Sequence, residues 1–213
     1  MAFVRLKICG ITALRDAVQI TELGVPFLGF NFYPASKRYI APEHARRIIK
    51  NLPAVVHTVG ILVRPTLEEC LLTVKATGVK WLQIYDPQDF DDFTKLPVPV
   101  IAAYRLKKGE CFEYRDKGEQ YVLLDAFHPD EFGGTGSSLD WDGLTSSVPR
   151  AKLALAGGIT PGNIEQALEI VGPAIIDVAT GSEHSPGRKD LQKTLALQKA
   201  VMRYNLRQLS SKY

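Results

Sequence analysis

Lys7-Ile8-Cys9-Gly10-Ile11-Thr12 ends an apolar strand on a thiol and passes through one glycine into a helix. The strand begins at Val4. The helix runs from Thr12, with Asp16 in its first turns, and places Leu14, Ala17, Val18 and Leu23 roughly on one face before Gly24 stops it. Such a strand–turn–helix unit puts its polar residue at the carboxyl end of the strand. The rest of the chain repeats the unit.

Phe27 to Asn31 reads as a second strand, and Pro42 opens a helix that Asn51 and Pro53 end. Val55 to Val63 is a third strand, with a helix over Thr66 to Thr77. Trp81 to Tyr85 is a fourth strand, followed by a short acidic helix near Asp89 to Thr94, and Val98 to Tyr104 is a fifth. The polar stretch Lys107 to Gly118 reads as loop. Gln120 to Asp125, Lys152 to Ala156 and Ala174 to Val178 complete eight strands. Helices are expected near Trp141 to Thr145, over Pro161 to Ile170 and from Asp190 toward Leu206. Parallel neighbours need helix-sized crossovers, so this alternation predicts an α/β chain with a parallel sheet. Eight units predict one closed (β/α)8 TIM barrel, a single domain spanning 1–213. An open doubly wound sheet ranks second, because no G-x-G-x-x-G follows the first strand and the glycine turns come late.

Composition narrows the function classes. A hydrophobic share of 46% in 213 residues provides for a sizeable core. The formal charge of +3, without a basic run interleaved with aromatics, argues against a nucleic-acid partner. Cys9, Cys70 and Cys111 are odd in number and widely spaced, which speaks against disulfides or a zinc site and for a reducing, cytoplasmic location. Arg5 and Lys7 interrupt the first apolar stretch, so no secretory leader is expected, and no apolar run is long enough to span a membrane. His44, His57, His128 and His184 lack ligand spacing, so no metal is expected.

In a barrel the site lies at the carboxyl ends of the strands, where this chain places Cys9, Asn31, Arg64, Tyr85, Asp125 and Asp177. Cys9 is either a small buried hydrophobe or a thiolate favoured by the helix N-terminus beside it. Lys7, two residues earlier on the same strand face, is expected to point inward and lower the Cys9 pKa; the alternative is an outward, snorkelling lysine. Asp125 ends an apolar run in Tyr121-Val122-Leu123-Leu124-Asp125-Ala126. It is either a cap or ion-pair partner, or a partly desolvated carboxyl able to donate a proton near neutrality. Gly133-Gly134-Thr135-Gly136, Ala156-Gly157-Gly158-Ile159 and Thr180-Gly181-Ser182 bring backbone amides close together. The last two fall in the loops after strands seven and eight, which predicts phosphate binding. Ser36-Lys37-Arg38-Tyr39 offers two cations that could clamp a carboxylate or lie solvated in a loop.

These segments, in this order, resemble phosphoribosylanthranilate isomerases over nearly the whole chain. The matching stretches are Lys7 to Thr12, Gly29 to Tyr39, Leu123 to Ala126, Gly133 to Gly136, Leu155 to Pro161 and Ile176 to Val178. The resemblance implies a cofactor-free Amadori rearrangement of a phosphorylated small molecule in tryptophan biosynthesis. By that resemblance Asp125 is the general acid and Cys9 the general base. Arg38 meets the substrate carboxylate, Asp177 meets the bridging amine, and Gly157, Gly158, Thr180 and Gly181 hold the phosphate. The implied enzyme is a monomer or homodimer. Three places depart from the family pattern: Gln83-Ile84-Tyr85-Asp86 stands for Gln-Leu-His-Gly, Arg64 for an asparagine, and Asp177-Val178-Ala179-Thr180-Gly181-Ser182-Glu183 for Asp-Val-Ser-Ser-Gly-Val-Glu. Two other functions remain open. One is the sugar-phosphate isomerase type of histidine biosynthesis, which favours a carboxylate where Cys9 stands. The other is a non-catalytic barrel that binds a phosphorylated aromatic ligand.

Overall fold

A computed structural model describes residues 3–87, 90–107, 109–126, 141 and 147–210. Eight parallel strands close into a barrel in chain order: β1 Arg5–Cys9, β2 Phe27–Asn31, β3 His57–Val63, β4 Trp81–Tyr85, β5 Val100–Leu106, β6 Tyr121–Ala126, β7 Leu153–Leu155 and β8 Ile175–Val178. β8 returns to β1 in parallel, pairing Lys7 with Asp177 across the seam. The described crossovers include helices α1 Leu14–Glu22, α2 Pro42–Ile49, α3 Leu67–Thr77 and α4 Ile164–Val171. After β8 come a two-stranded hairpin, β9 Glu183–Ser185 and β10 Arg188–Lys189, and the long helix α5 Leu191–Ser210. No described helix is long and apolar enough to cross a membrane.

The period-two rule sorts the strand residues. In β1, Leu6 and Ile8 face the layer between sheet and helices, whereas Cys9 packs with the residues inside the barrel. Phe27, Val59, Ile61, Ile101, Leu123, Ala154 and Ile175 fill that interior, so it is a packed core rather than a pore. Its amino-terminal end is closed by rings. Phe27 stacks on His57 at 4.5 Å between centroids, Trp81 stacks on Tyr121 at 5.9 Å, and the Arg5 guanidinium lies over both Phe27 and Tyr121.

Several element ends differ from expectation, each for a local reason. β3 starts at His57 rather than Val55; Val55 sits in a turn and is 81% exposed. β5 starts at Val100 rather than Val98 because Pro97 and Pro99 lack the amide a ladder needs. It extends to Leu106 because β6 pairs with it that far. α4 begins at Ile164, three residues after Pro161, because the Asn163 side chain folds back to Gly158 O and Thr160 N. The acidic segment after β4 contains only a 3-10 turn, Phe93–Lys95, within its described part. α5 runs four residues beyond Leu206, and Asp190 caps it by accepting from the amides of Gln192 and Lys193. The helix expected near Trp141 to Thr145 and the glycine run Gly133 to Gly136 lie outside the described residues.

Candidate active site

Cys9, Tyr85, Asp125 and Asp177, from β1, β4, β6 and β8, converge at the carboxyl end of the barrel. They line one cleft with Arg38, Gly157, Gly158, Thr180 and Gly181. Asn31 and Ser36 border it too, but serve to shape the loop after β2. The Asn31 side chain donates to Ser36 Oγ at 3.0 Å and accepts from the Tyr33 amide at 2.9 Å, while Ser36 Oγ accepts from the Arg38 amide. That loop delivers Arg38 inward, 6% exposed, and leaves Lys37 and Tyr39 exposed. Of the two cations in this stretch, only Arg38 reaches the cleft.

Lys7 faces the barrel interior, as its strand position predicts. It is fully buried, and its Nζ lies 2.7 Å from Asp177 Oδ2. Burial works against its charge, but Asp177 and then Cys9 outweigh it, and the Lys7 pKa is raised. Asp177 Oδ1 is also buried, with no hydrogen-bond partner among the described residues. Lys7 does pull the Cys9 pKa down, as expected, but it does not decide the net value. Burial pushes the thiol up; Lys7, Lys189 and Arg38 pull it down and Asp177 pushes it up further. The net pKa is raised, not lowered. Lys7 thus moderates a desolvation penalty larger than its own effect. Among ionisable groups, carboxyls are stronger acids than thiols by several pH units.

Asp125 is 2% exposed and accepts a hydrogen bond from the Tyr85 hydroxyl at Oδ2, 2.8 Å away. Burial, Asp125, Asp177 and Cys9 together hold the Tyr85 pKa well above its usual value, so the phenol stays protonated and acts as a donor. Arg64, the other departure expected near the mouth, does not line the cleft. Its φ of +47° turns the chain at the rim, and its half-exposed guanidinium pairs with Asp86 at 3.1 Å.

The glycine turns meet at one side of the cleft. Gly157 and Gly158 have φ of +89° and +64°, a bend that non-glycine residues resist, and it turns the chain after β7. Gly181 abuts that bend so closely that an added Cβ would overlap the Ile159 carbonyl. Two loops whose backbones touch present their amides together, which suits an anion.

Two residues in this region are not among the expected site residues: Glu183, which ends the segment answering to the family's Asp-Val-Ser-Ser-Gly-Val-Glu, and Lys189, which carries no motif signal. Glu183 and Lys189 lie on opposite strands of the β9–β10 hairpin and are almost fully buried. Arg38 Nε donates to Glu183 Oε1 and Oε2 at 2.9 and 3.0 Å, and its Nη2 donates to Oε2 at 2.7 Å and to Thr180 Oγ1 at 3.1 Å. Lys189 Nζ reaches Glu183 Oε1 at 2.8 Å and the Cys9 carbonyl at 2.5 Å. Burial raises the Glu183 pKa, but the two cations outweigh it and hold the carboxylate below its usual range. The resulting ion network ties Arg38, the end of β1 and the loop after β8 to one another.

Residues 6–200 match the family described as N-(5′-phosphoribosyl)anthranilate (PRA) isomerase. The N-(5′-phosphoribosyl)anthranilate isomerase of Citrifermentans bemidjiense is 38% identical over 194 residues, covering 91% of this chain and 94% of its own. Among solved structures, the phosphoribosyl anthranilate isomerase of Thermus thermophilus superposes with a TM-score of 0.77 at 33% identity, covering 93% of this chain and 98% of its own. A further phosphoribosyl anthranilate isomerase was solved in complex with reduced 1-(o-carboxyphenylamino)-1-deoxyribulose 5-phosphate. It superposes with a TM-score of 0.71 at 30% identity, covering 93% of this chain and 98% of its own.

Proposed function

The chain belongs to the N-(5′-phosphoribosyl)anthranilate isomerase family, and from that premise we propose that Asp125 and Cys9 carry its two proton transfers. The reaction is the isomerisation of N-(5′-phosphoribosyl)anthranilate to 1-(2-carboxyphenylamino)-1-deoxyribulose 5-phosphate in tryptophan biosynthesis. The observation that carries the residue assignment is convergence: an acid, a base and an unpaired carboxylate oxygen share one cleft beside two touching glycine loops.

Asp125 gives its proton to the furanose ring oxygen. The bond from that oxygen to C1′ breaks, and the nitrogen lone pair forms a C=N⁺ iminium. Cys9 as thiolate then takes the C2′ proton, and the electrons of that C–H bond form the C1′=C2′ enolamine, which neutralises the nitrogen. Tautomerisation places a proton on C1′ and leaves a ketone at C2′. Each positioned transfer is worth about 10²- to 10⁴-fold. Asp177 Oδ1 accepts from the bridging amine, Arg38 faces the anthranilate carboxylate, and Gly157, Gly158, Thr180 and Gly181 donate to the phosphate. The functional unit is the one barrel domain, acting in the cytoplasm.

The productive form has a proton on Asp125 and none on Cys9. Because the thiol is the weaker acid, most molecules holding one proton between the two groups hold it on sulfur. The productive form is therefore a minority tautomer, and its share is constant while the pair holds one proton. In kcat/KM the acid limb then reports Asp125 and the alkaline limb Cys9. The test is loss of anthranilate fluorescence on mixing with the substrate. Absence of turnover in the unaltered protein would refute the activity. Activity surviving in both Cys9→Ala and Asp125→Ala would refute the roles.

A further inference from the structure

We propose that Tyr85 is a positioning residue that acts through Asp125, its hydroxyl orienting the carboxyl and setting the pH at which it ionises. This rests on the assignment of Asp125 as the acid. The two groups stand on non-adjacent strands, β4 and β6, and meet across the cleft at 2.8 Å with almost no solvent access. A donor fixed on Oδ2 holds the plane of the carboxyl group in one orientation across the cleft. The same donor stabilises the carboxylate that remains once the ring has opened, since hydrogen bonds to an ionised acceptor are about twice as strong as neutral ones.

The backbone around Tyr85 is built to hold that aim. Its carbonyl accepts from the Arg64 amide at 3.0 Å, and the following Asp86 amide donates to Ala103 O at 3.0 Å. Asp86 adopts a φ of +48°, and its Oδ2 receives Arg64 Nη2 at 3.1 Å and Arg105 Nη2 at 2.8 Å. Two guanidiniums from β5 and the turn after β3 thus clamp the turn immediately after the phenol. Besides Asp125, the ionisable groups that act on the phenol include Asp177 from β8 and Cys9 from β1, and Lys7 in turn faces those two. Arg105, aligned with Asp125 in the β5–β6 register, is turned to Asp86.

The test compares wild type with Tyr85→Phe, which keeps the ring and removes the donor. Losing the donor weakens the carboxylate, so the acid limb of kcat/KM moves up by about one pH unit, the alkaline limb stays in place, and the Asp125 carboxyl carbon titrates about one unit higher by NMR. An acid limb and a carbon titration both within about 0.2 unit of wild type would overturn the proposal, given that even one charge-assisted hydrogen bond shifts a pKa by more. A rise in KM with an unchanged profile would also overturn it, making Tyr85 a substrate contact. Failure of the unaltered enzyme to turn over the substrate would strike the isomerase assignment instead, while the carbon titration still decides whether Tyr85 governs Asp125.

Discussion

Replacing Lys7 by methionine should destabilise the fold by about 3–5 kcal/mol, the usual cost of leaving one partner of a buried ion pair behind. The pair qualifies as buried: the Lys7 side chain is 0% and the Asp177 side chain 4% exposed, with 2.7 Å between charges. Solvent screening therefore offers no discount of the kind surface pairs require. Methionine approximates the lysine stem, so the loss is of charge rather than volume. Asp177 would remain in the interior with Oδ2 stripped of its partner and Oδ1 already without one. The folded Lys7 pKa is raised, so the stabilisation is complete below the unfolded lysine value and is lost only as pH rises through the higher folded one. At pH 7 all of it counts. Urea unfolding followed by Trp81 and Trp141 fluorescence measures the loss, with an unchanged slope showing that the denatured state is not the cause. Adding Asp177→Asn removes the stranded charge and leaves only a poorly satisfied polar group, so the double variant should lose about 1–3 kcal/mol. A single variant within about 1 kcal/mol of wild type, the range of an ordinary substitution, would refute the reasoning. So would a double variant as unstable as the single one.

Three further outcomes follow from the same geometry. In a Cys111→Ser background, alkylation of Cys9 by iodoacetamide should rise with a midpoint above that of an ordinary thiol, and Lys7→Met should move it higher still. An unmoved midpoint would contradict the balance of charges at Cys9. His57 is held below its usual pKa by burial and by Arg5 and Lys80, and its Nδ1 accepts from Trp81 Nε1 at 3.1 Å. Its stabilising contribution is present above the unfolded histidine value and lost as pH falls through the lower folded one, so His57→Gln should flatten the acid side of a stability-against-pH curve. Gly181→Ala forces a methyl into the Ile159 carbonyl. It should cost about 1–3 kcal/mol by overpacking and raise KM for the phosphorylated substrate about tenfold, with a normal KM showing that the two glycine loops do not hold the phosphate.

The parts legible in the sequence are those that depend on local periodicity. Leu6 and Ile8 alternate with Lys7 and Cys9, and once the strand is assigned, alternation alone places the lysine on the thiol's side. Asp125 and Asp177 are legible for the same reason, as polar ends of apolar runs. The ends of β3 and β5 are not legible, because there a turn or a proline overrides a favourable apolar composition. The placement of Arg64 outside the cleft is not legible either, because side-chain direction beyond a strand end depends on φ. A positive φ at a non-glycine residue leaves no trace in composition.

What periodicity cannot supply is the outcome of competing effects between distant residues. Arg38 is readable as a cation in a loop, yet what aims it is Glu183, 145 residues away on a hairpin after the last barrel strand. No spacing rule links the two, because the link exists only once β8 closes on β1. The thiol makes the same point in sign rather than in place. A lysine two residues away predicts a lowered pKa, and its influence is indeed downward. Burial acts on the same atom in the opposite direction and is larger. Which one wins depends on how completely the barrel excludes water, a property of the assembled mouth and not of any segment. A base with a raised pKa is a stronger base when ionised and is ionised less often. Its partner acid then matters more, since the share of productive tautomer depends on the gap between the two. That gap is why a phenol on Asp125 can influence the chemistry as much as a lysine beside Cys9, although it touches neither reacting carbon.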